Sequence, residues 1–337
     1  MTLGLVRRTA CYKRHNFILA MFAQTSLVTR AASSSSCPFP PPDEVVQFAF
    51  QQSWDAGNNS KVLRFELPST LPTLSRPIPS GVSVIYHEQP GAEAIKKSYS
   101  PVSSPDAEGF FDLLVKAYPP RPGGGVGAYL CGLSPGDRVS MNVKAPRTIH
   151  GSEDVAGRWA HLGFVAGGTG VAPFVQIIRT LLADEGDATQ LSLLSVNRRP
   201  DDVLMKAEID ALAKESGGRF RVTYALSQPT LDDGAVGGFF RGRGDATLAS
   251  KALPSSQRLN PTSESVNAGL DEQGDGSSRQ SEGTMIMVCG TDGFVDSWAG
   301  AITRTKDPVT GKKAKVQGPL KGWLHEAGFR ENEVYKF

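Results

Sequence analysis

The sequence predicts two domains, an antiparallel β-barrel followed by an α/β domain with a parallel sheet. Two patterns predict them. Short β-branched or aromatic runs separated by Gly, Pro and Ser fill residues 43–150, whereas strand-like and helix-like segments alternate over 157–337. Closely spaced short strands are typical of antiparallel sheets, and alternation is typical of a parallel sheet covered by helices. A chain of 337 residues is also long enough for about two domains.

The first domain contains five predicted strands and one short helix. The helix is followed by a Ser-Pro-Gly-Asp sequence, which is typical of a turn. In chain order, the predicted strands cover 45–50, 61–67, 82–86, 110–118 and 138–143, and the helix covers 127–133.

The second domain alternates strands and helices and contains one interruption. Residues 254–284 include seven serines, five acidic residues and no aromatic residue, a composition that buries too little apolar surface to fold. We therefore expect a disordered insertion there. The predicted strands cover 162–166, 190–196, 220–226 and 285–288, and the predicted helices cover 171–183, 202–214 and 293–304.

The amino-terminal segment 1–42 differs from both domains, because it has basic and serine residues but no Asp or Glu. Such a composition is typical of a mitochondrial transit peptide and predicts a mitochondrial location. Its apolar stretch 17–23 is shorter than the roughly 20 residues that cross a bilayer, so we expect no transmembrane span. A signal-peptide core and a disordered cytosolic tail are the alternatives.

Whole-chain composition argues against several classes of function. A net charge of +2 lacks the positive excess typical of nucleic-acid binding. The four cysteines form no C-x-x-C pair and the five histidines form no H-E-x-x-H motif, so neither disulfides nor a metal site is expected. The oligomeric state stays open.

A glycine-rich turn joins the first strand of the second domain to its helix. Glycine allows a tight turn and a close approach of the backbone to a ligand, and free N–H groups at a helix start attract an anion such as a pyrophosphate. The turn therefore predicts a dinucleotide site, with a purely structural corner as the alternative. Its residues are Gly167, Gly168, Thr169 and Gly170, followed by Pro173.

This Gly-Gly-Thr-Gly-x-x-Pro turn resembles the nicotinamide-binding turn of the ferredoxin-reductase superfamily, in particular that of the cytochrome b5 reductase family. The resemblance covers about residues 44–337. It implies an FAD-binding barrel, an NAD(P)-binding α/β domain, NADH as electron donor and cytochrome b5 as one-electron acceptor, and it leaves NADPH open. Cofactors carry the redox chemistry in such enzymes, so no catalytic triad is needed.

Residues 97–104 resemble the family's R-x-Y-[ST]-x-x-S flavin loop. The resemblance implies that Tyr99 lies against the isoalloxazine and that Ser100 hydrogen-bonds near its reactive nitrogen. Lys97 would meet the phosphates, and it keeps the charge of the family arginine but loses the bidentate fork. Weaker flavin retention is therefore expected. Ser98 completes the predicted contacts.

A second flavin strand and a phosphate loop are implied by the same resemblance. Lys116, on that strand, is expected to be an ordinary barrel residue. Gly127 stands where relatives carry Ser or Thr, and Ala172 stands where they often carry Thr, which removes two potential flavin hydrogen bonds. The expected flavin contacts are the backbone of Leu114 and Val115, the Tyr118 side chain, and the loop residues Gly124, Gly125, Val126 and Gly127.

Two strand ends in the second domain are expected to meet the adenosine ribose. Asn197, Arg198 and Arg199 follow one strand, although an exposed arginine pair is also common at a solvated corner. Ser227 ends the next strand, where NADH-selective relatives often carry an Asp that repels a 2′-phosphate, so this repulsion is lost. Asp202 is expected to cap the following helix.

Cys289 and Gly290 resemble the start of the family's C-G-P-P-x-M segment, which approaches the nicotinamide. A lone cysteine is usually a small buried hydrophobe, but this context favours catalytic roles for Cys289 and Ser100. Residues 291–294 depart from the family pattern, so the placement of the nicotinamide is less well defined than that of the pyrophosphate. Phe337 is expected near the site.

The predicted function is electron transfer from NAD(P)H through FAD to a one-electron acceptor, cytochrome b5 or a similar haem protein. One alternative is an NADPH-dependent reductase of a ferredoxin or flavoprotein. A second is a redox-silent structural subunit of a mitochondrial assembly, because a fold alone does not determine function. Bound flavin would distinguish the two enzymes from the silent subunit.

Overall fold

Strands separate into an antiparallel and a parallel six-stranded sheet in the computed structural model of the protein. The structure describes residues 40–337 except 43, 75–76, 119–124, 230–237, 255–281 and 307–312. The predicted leader therefore lies outside the described residues as far as Phe39, and the predicted insertion does so over 255–281. We call the elements up to strand Arg138–Val143 the barrel half and those from strand Trp159–Gly167 onward the α/β half.

The first sheet is antiparallel throughout, which confirms the prediction, and its strand order is β4-β3-β6-β1-β2-β5. A bridge between Pro101, just after β4, and Leu113 in β5 joins the two outer strands and closes the barrel. Phe48, Phe65 and Phe111 pack together in its core. The strands are β1 (Val46–Gly57), β2 (Ser60–Glu66), β3 (Val82–Tyr86), β4 (Ile95–Tyr99), β5 (Phe110–Lys116) and β6 (Arg138–Val143).

Helix α1 (Val126–Cys131) packs on the barrel through Val126 and Leu130, which are buried in the barrel core. The helix starts after Gly125, whose φ of 86° favours glycine. Strand β4 was not predicted as a strand, because its central residues 96–98 are polar and exposed and show no alternation of apolar and polar residues.

The second sheet is parallel throughout, as predicted, with the order β10-β9-β8-β7-β11-β14. Along β8, Leu193 belongs to the core cluster that contains Phe174, and Leu194 belongs to the separate cluster that contains Trp298. Burial on both faces is typical of a parallel sheet covered by helices. The strands are β7 (Trp159–Gly167), β8 (Gln190–Asn197), β9 (Phe220–Leu226), β10 (Phe240–Arg241), β11 (Glu282–Cys289) and β14 (Val334–Lys336); the helices are α2 (Ala172–Ala183), α3 (Lys206–Glu215), α4 (Ala246–Ala252), α5 (Asp292–Ala299) and α6 (Gly322–Glu326).

Asp202 does not cap helix α3, contrary to the prediction. Residues 200–202 form a separate 3₁₀ turn, and α3 starts only after Met205, which has a left-handed φ of 55° and makes no side-chain cap. The Met205 N–H donates to the carbonyl oxygen of Ala56 in the barrel half at 3.3 Å. The predicted helix start was wrong because this segment docks on the barrel before the helix begins.

Two other boundaries in the α/β half also differ from the prediction. Helix α5 ends at Ala299, since Gly300 takes a φ of 83° that few other residues adopt. An unpredicted hairpin follows, formed by β12 (Thr303–Lys306) and β13 (Lys313–Val316). Strand β11 begins at Glu282, inside the segment that was predicted to be a disordered insertion.

The described helices are short, and the longest, α2, has 12 residues. Within the described ranges, no helix has the length and apolarity needed to cross a membrane. The same ranges contain no cluster of three His, Cys, Asp or Glu side chains that could hold a metal ion.

Candidate active site

A cavity of about 280 Å³ is lined by residues of both halves. In the α/β half it lies at the carboxyl ends of β7 and β11, and parallel sheets bind ligands at that edge. The two predicted cofactor sites therefore meet in one cavity. Of the predicted site residues, the lining includes Lys97, Ser98, Tyr99, Ser100, Leu114 and Tyr118 from the barrel half, and Thr169, Gly170, Pro173, Cys289 and Gly290 from the α/β half.

The hydroxyl of Tyr99 shows how well the barrel wall of this cavity fits a flavin. It is buried and has no hydrogen-bond partner among the residues that the structure describes, and burial raises the pKa of Tyr99. A buried polar group without a partner costs about 1–3 kcal/mol. A flavin carries carbonyl and hydroxyl groups that can pair with this hydroxyl, so the residues present fit the group.

Basic side chains surround the same wall. Lys97 Nζ lies 5.6 Å from the centre of the Tyr99 ring and 5.8 Å from that of Tyr118. Lys144 Nζ donates to Ser98 Oγ at 3.0 Å. Burial, and then the neighbouring positive charge of Arg147, lowers the pKa of Lys144. This wall is therefore suited to an anionic group such as a phosphate.

Strand β5 presents alternate residues to the cavity and to the barrel core. Leu114 lines the cavity, whereas the Val115 side chain is buried in the core, so only the Val115 backbone is available to a cofactor. Lys116 lines the cavity and forms an ion pair with Asp202 at 3.3 Å. The expectation that Lys116 is an ordinary barrel residue was therefore wrong.

The predicted phosphate loop is only partly described. Gly124 lies outside the described residues, and Gly125, Val126 and Gly127 form the start of α1, outside the cavity lining. A Cβ at Gly127 would lie 2.3 Å from the carbonyl oxygen of Lys116. Helix α1 thus packs too closely on β5 for a serine or threonine at this position, which explains the missing hydroxyl.

The glycine turn after β7 lies directly against the end of β11. A Cβ at Gly170 would lie 2.2 Å from the carbonyl oxygen of Cys289, so only glycine allows this approach. Thr169 and Gly170 line the cavity, and Pro173 occupies the first turn of α2, where its missing N–H costs nothing.

Cys289 contributes a neutral thiol to this wall. Burial raises its pKa to about 11. At neutral pH the side chain is therefore protonated, and a thiol is a much weaker nucleophile than a thiolate. The positive charges of Arg147 and Lys315 act to lower this pKa but do not outweigh burial, so Cys289 can pack against a bound ring but is not activated for covalent chemistry.

Phe294 covers the part of the turn that does not line the cavity. A Cβ at Gly167 would lie 2.9 Å from the Phe294 ring, and a Cβ at Gly290 would lie 2.5 Å from it. Thr291 caps α5, because its Oγ1 accepts from the Phe294 N–H at 3.4 Å. Residues 291–294, which differ from the family segment, therefore form the start of helix α5 and place the Phe294 ring over Gly167 and Gly290.

Asn197 supports the glycine turn and does not line the cavity. Its Oδ1 accepts from the Gly168 N–H at 3.3 Å, and its Nδ2 donates to Ser195 Oγ at 3.0 Å. Ser227 is half-buried at the end of β9, where its N–H donates to the Asn197 carbonyl oxygen at 2.9 Å. Arg198, in contrast, is engaged in an ion pair with Asp202.

Positive charge is the feature of the lining that the sequence reasoning largely missed. Five basic residues line the cavity, and no acidic residue occurs among the lining residues described. Lys144 and Arg147 follow directly after β6, a signal that could have been read from the sequence, whereas Lys315 belongs to the unpredicted hairpin. Arg147 also lies over the Phe337 ring at 4.7 Å.

The fold and the site together define a two-domain oxidoreductase with a flavin-binding barrel and a nicotinamide-binding α/β half. Two family models match the same halves. The oxidoreductase FAD-binding domain matches residues 48–148, and the oxidoreductase NAD-binding domain matches residues 164–299. FAD and NADH are therefore the cofactors of the two halves.

Relatives with similar sequences show to which family of flavin-dependent oxidoreductases the chain belongs. NADH-cytochrome b5 reductase 1 of Emericella nidulans is 35% identical over 202 residues, which are 58% of this chain and 62% of that protein, less than two thirds of its length. NADH-cytochrome b5 reductase 1 of Cryptococcus neoformans var. neoformans is 32% identical over 260 residues, 77% of this chain and 78% of that protein. The chain belongs to the NADH-cytochrome b5 reductase family. The cytochrome b5 reductase domain of Ulva prolifera nitrate reductase shares the fold, with a TM-score of 0.66, 20% identity and coverage of 89% of this chain and 100% of that one.

Proposed function

We propose that this protein passes electrons from NADH through FAD to a one-electron acceptor, cytochrome b5 or a similar haem protein. The observation that carries the proposal is the single cavity in which Tyr99 and Ser100 of the barrel half meet Gly170 and Cys289 of the α/β half. The relatives are named as NADH-cytochrome b5 reductases, and this supports the choice of acceptor.

The side chains of the barrel wall hold and orient the flavin. The Tyr99 hydroxyl gains a hydrogen-bond partner, which it lacks among the described residues, and Ser100 offers a second hydroxyl at the same wall. Lys97 and Lys144 stabilise negative charge on the phosphates. Bound FAD supplies the conversion of a two-electron donation into single-electron steps.

The α/β half shapes the space for the nicotinamide. The close contact of Gly170 with Cys289 leaves room for a flat ring, because neither residue projects a long side chain into the cavity. Leu114 and Phe337 contribute apolar surface to the walls. Phe337 is held in place by Phe174, whose ring centre lies 5.4 Å away in an edge-on contact.

The charge of the cavity supports anionic partners. Five basic residues line the cavity, and of these Lys116 is paired with Asp202. The positive charge at the cavity favours nucleotide phosphates and raises the rate of encounter with acidic proteins. An acidic haem protein fits this surface better than a basic one does.

The visible spectrum of the purified protein tests the proposal. We expect flavin absorption at a stoichiometry of about one FAD per chain, and reduction of cytochrome b5 on addition of NADH. A colourless preparation that takes up no added FAD would contradict the proposal and favour the redox-silent subunit. If the protein reduces a ferredoxin or flavoprotein faster than it reduces cytochrome b5, that protein and not cytochrome b5 is the acceptor.

Exposed arginines beside an uncharged strand end favour NADPH as an additional donor. Ser227 carries no negative charge to repel a 2′-phosphate. On the neighbouring strand, Arg241 pairs with the residue before Ser227, and both Arg241 and Arg243 are exposed, as is Arg199 after β8. Arginine binds phosphate through paired hydrogen bonds, so this edge of the sheet is compatible with NADPH.

We also propose that residues 1–42 direct the protein to mitochondria. The support is compositional, because basic and serine residues without an acid are typical of transit peptides. Amino-terminal sequencing of the mature protein from its source cells tests this. We expect that a leader ending before Asp43 has been removed, so that the mature protein begins after Met1. An intact Met1 on a cytosolic protein would refute mitochondrial import.

A further inference from the structure

A buried carboxylate joins the two halves at one wall of the cavity. Asp202, in the 3₁₀ turn after β8, has a side chain that is only 7% exposed. Its Oδ1 accepts from Lys116 Nζ on β5 at 3.3 Å, and from Asn58 Nδ2 in the β1–β2 turn at 3.3 Å. Arg198 Nε, from the same half as Asp202, lies 3.3 Å from Oδ2. One carboxylate thus binds two elements of the barrel half.

Backbone contacts show that this junction is closely fitted. The Asn58 N–H donates to the Asp201 carbonyl oxygen at 2.9 Å. The Met205 N–H donates to the Ala56 carbonyl oxygen at 3.3 Å. Gly57 has a φ of 121°, and a Cβ there would lie 3.1 Å from the Asp201 carbonyl oxygen. The turn between β1 and β2 is therefore shaped to receive residues 201–205.

Stability alone does not explain so many donors on one acid. Burial acts to raise the pKa of Asp202, but the hydrogen bonds from Arg198 and Lys116 outweigh it and the pKa lies below its usual range, so the group is ionised at neutral pH. The desolvation cost of a buried ion pair often cancels its Coulomb gain. Because Lys116 also lines the cavity, a role in placing this ammonium group accounts better for the arrangement.

We infer that Asp202 is a positioning residue, which holds the Lys116 ammonium at the cavity wall and sets the distance between the flavin wall and the glycine turn. The inference rests on the proposed function, because that distance matters only if flavin and nicotinamide meet in the cavity. A second buried junction joins the halves elsewhere, since Ser80 and Gln176 exchange two hydrogen bonds of 2.9 Å. The halves can therefore stay attached when Asp202 is changed.

The test compares Asp202→Asn, Lys116→Met and the double variant in the full-length, FAD-loaded protein. Asp201→Asn is the matched control, because Asp201 is the neighbouring acid and is exposed. Hydrogen exchange reports the junction through the Asn58 and Met205 amides. Anaerobic stopped-flow absorbance reports the limiting rate of flavin reduction by NADH, and FAD content and Tm are measured in parallel.

In Asp202→Asn we expect faster hydrogen exchange at the Asn58 and Met205 amides. The limiting rate of flavin reduction should fall by about tenfold or more, because a small misplacement of the two cofactors slows the transfer between them. The FAD content should be unchanged. The double variant should be no slower than the slower single variant, because both changes break one pair. Asp201→Asn should match the wild type. If Asp202→Asn does not fold, Lys116→Met alone should show the same two losses.

An unchanged limiting rate together with faster exchange would overturn the positioning role and leave a structural junction. If the losses in the limiting rate of flavin reduction multiply in the double variant, Asp202 does not act by holding Lys116. If NADH does not reduce the wild-type flavin, the proposed function fails, and unchanged exchange at Asn58 and Met205 in Asp202→Asn would separately refute the junction.

Discussion

Gly170 lies so close to Cys289 that a Cβ at position 170 would come within 2.2 Å of the Cys289 carbonyl oxygen. This contact brings the glycine turn after β7 against the end of β11. It also explains why the turn requires glycine at this position, whether or not a ligand is bound. The nicotinamide side of the cavity is therefore built by backbone packing and carries few functional side chains.

Gly170→Ala should lower the free energy of unfolding by about 1–3 kcal/mol, the usual cost of an overpacked site, and should weaken NADH binding because the turn must move. Urea unfolding and an NADH titration measure the two effects. Gly293→Ala is the control, since a Cβ at Gly293 meets nothing within 4 Å and alanine favours its helix. Equal stability of the two variants would show that the turn is not tightly packed.

Tyr99→Phe should weaken FAD binding while stabilising the FAD-free protein. The change removes a buried hydroxyl that has no partner in the part of the chain that the structure describes, and whose desolvation costs about 1–3 kcal/mol, but it also removes the proposed flavin contact. The FAD-to-protein ratio after gel filtration and the Tm of the FAD-free protein separate these effects. Tyr99→Ala should lose more flavin than Lys116→Ala, and equal losses would place Tyr99 away from the flavin.

Ser227→Asp should depress kcat/KM for NADPH far more than for NADH, since an acid repels the 2′-phosphate. NADH should be the better donor of the wild type by a modest factor. If Arg199, Arg241 or Arg243 meets the 2′-phosphate, the contact contributes roughly 1.5–3 kcal/mol and reverses that order. Ferricyanide serves as a permissive acceptor for both donors. Equal losses for both would mean that Ser227 does not meet the ribose.

Cys289 should react slowly with iodoacetamide at neutral pH, because its pKa is raised to about 11 and only the thiolate is reactive. The labelling rate should rise about tenfold per pH unit up to that value, whereas an ordinary thiol levels off near its pKa of about 8.5. Peptide mapping by mass spectrometry follows this one cysteine among the four. Rapid labelling at pH 7 would show an activated thiolate instead.

The sequence predicted both sheets because their patterns are local. Buried strands such as β11 contain a continuous apolar run, here residues 285–288, and the barrel strands are separated by segments that contain Gly, Pro or Ser. Strand β4 and the hairpin of β12 and β13 were missed, since polar residues there are held by pairing with neighbouring strands and not by an apolar face. The start of α3 was misplaced because the docking of residues 201–205 on the barrel is a long-range contact.

The candidate site was predictable where a motif carries it, as in the flavin loop and the glycine turn. Sequence reasoning missed the role of Lys116, because its partner Asp202 is distant in the chain and belongs to the other half. The assignment of Asn197 to the ribose stays a prediction, and the sequence did not predict the hydrogen bond that the Gly168 N–H donates to its side chain. The pairing of Lys116 with Asp202 depends on how the two halves meet, and that of Asn197 with Gly168 depends on how β7 and β8 lie side by side, and no local pattern encodes either.

Anaerobic mixing of the purified protein with NADH and oxidised cytochrome b5 tests the central claim most directly. The proposed function predicts that the flavin absorption bleaches on addition of NADH and that the haem spectrum then changes to that of the reduced cytochrome. Neither change should occur when the protein is omitted, and Tyr99→Ala should slow both. A flavin that stays oxidised in excess NADH, or a reduced flavin that leaves the haem oxidised, would contradict the account.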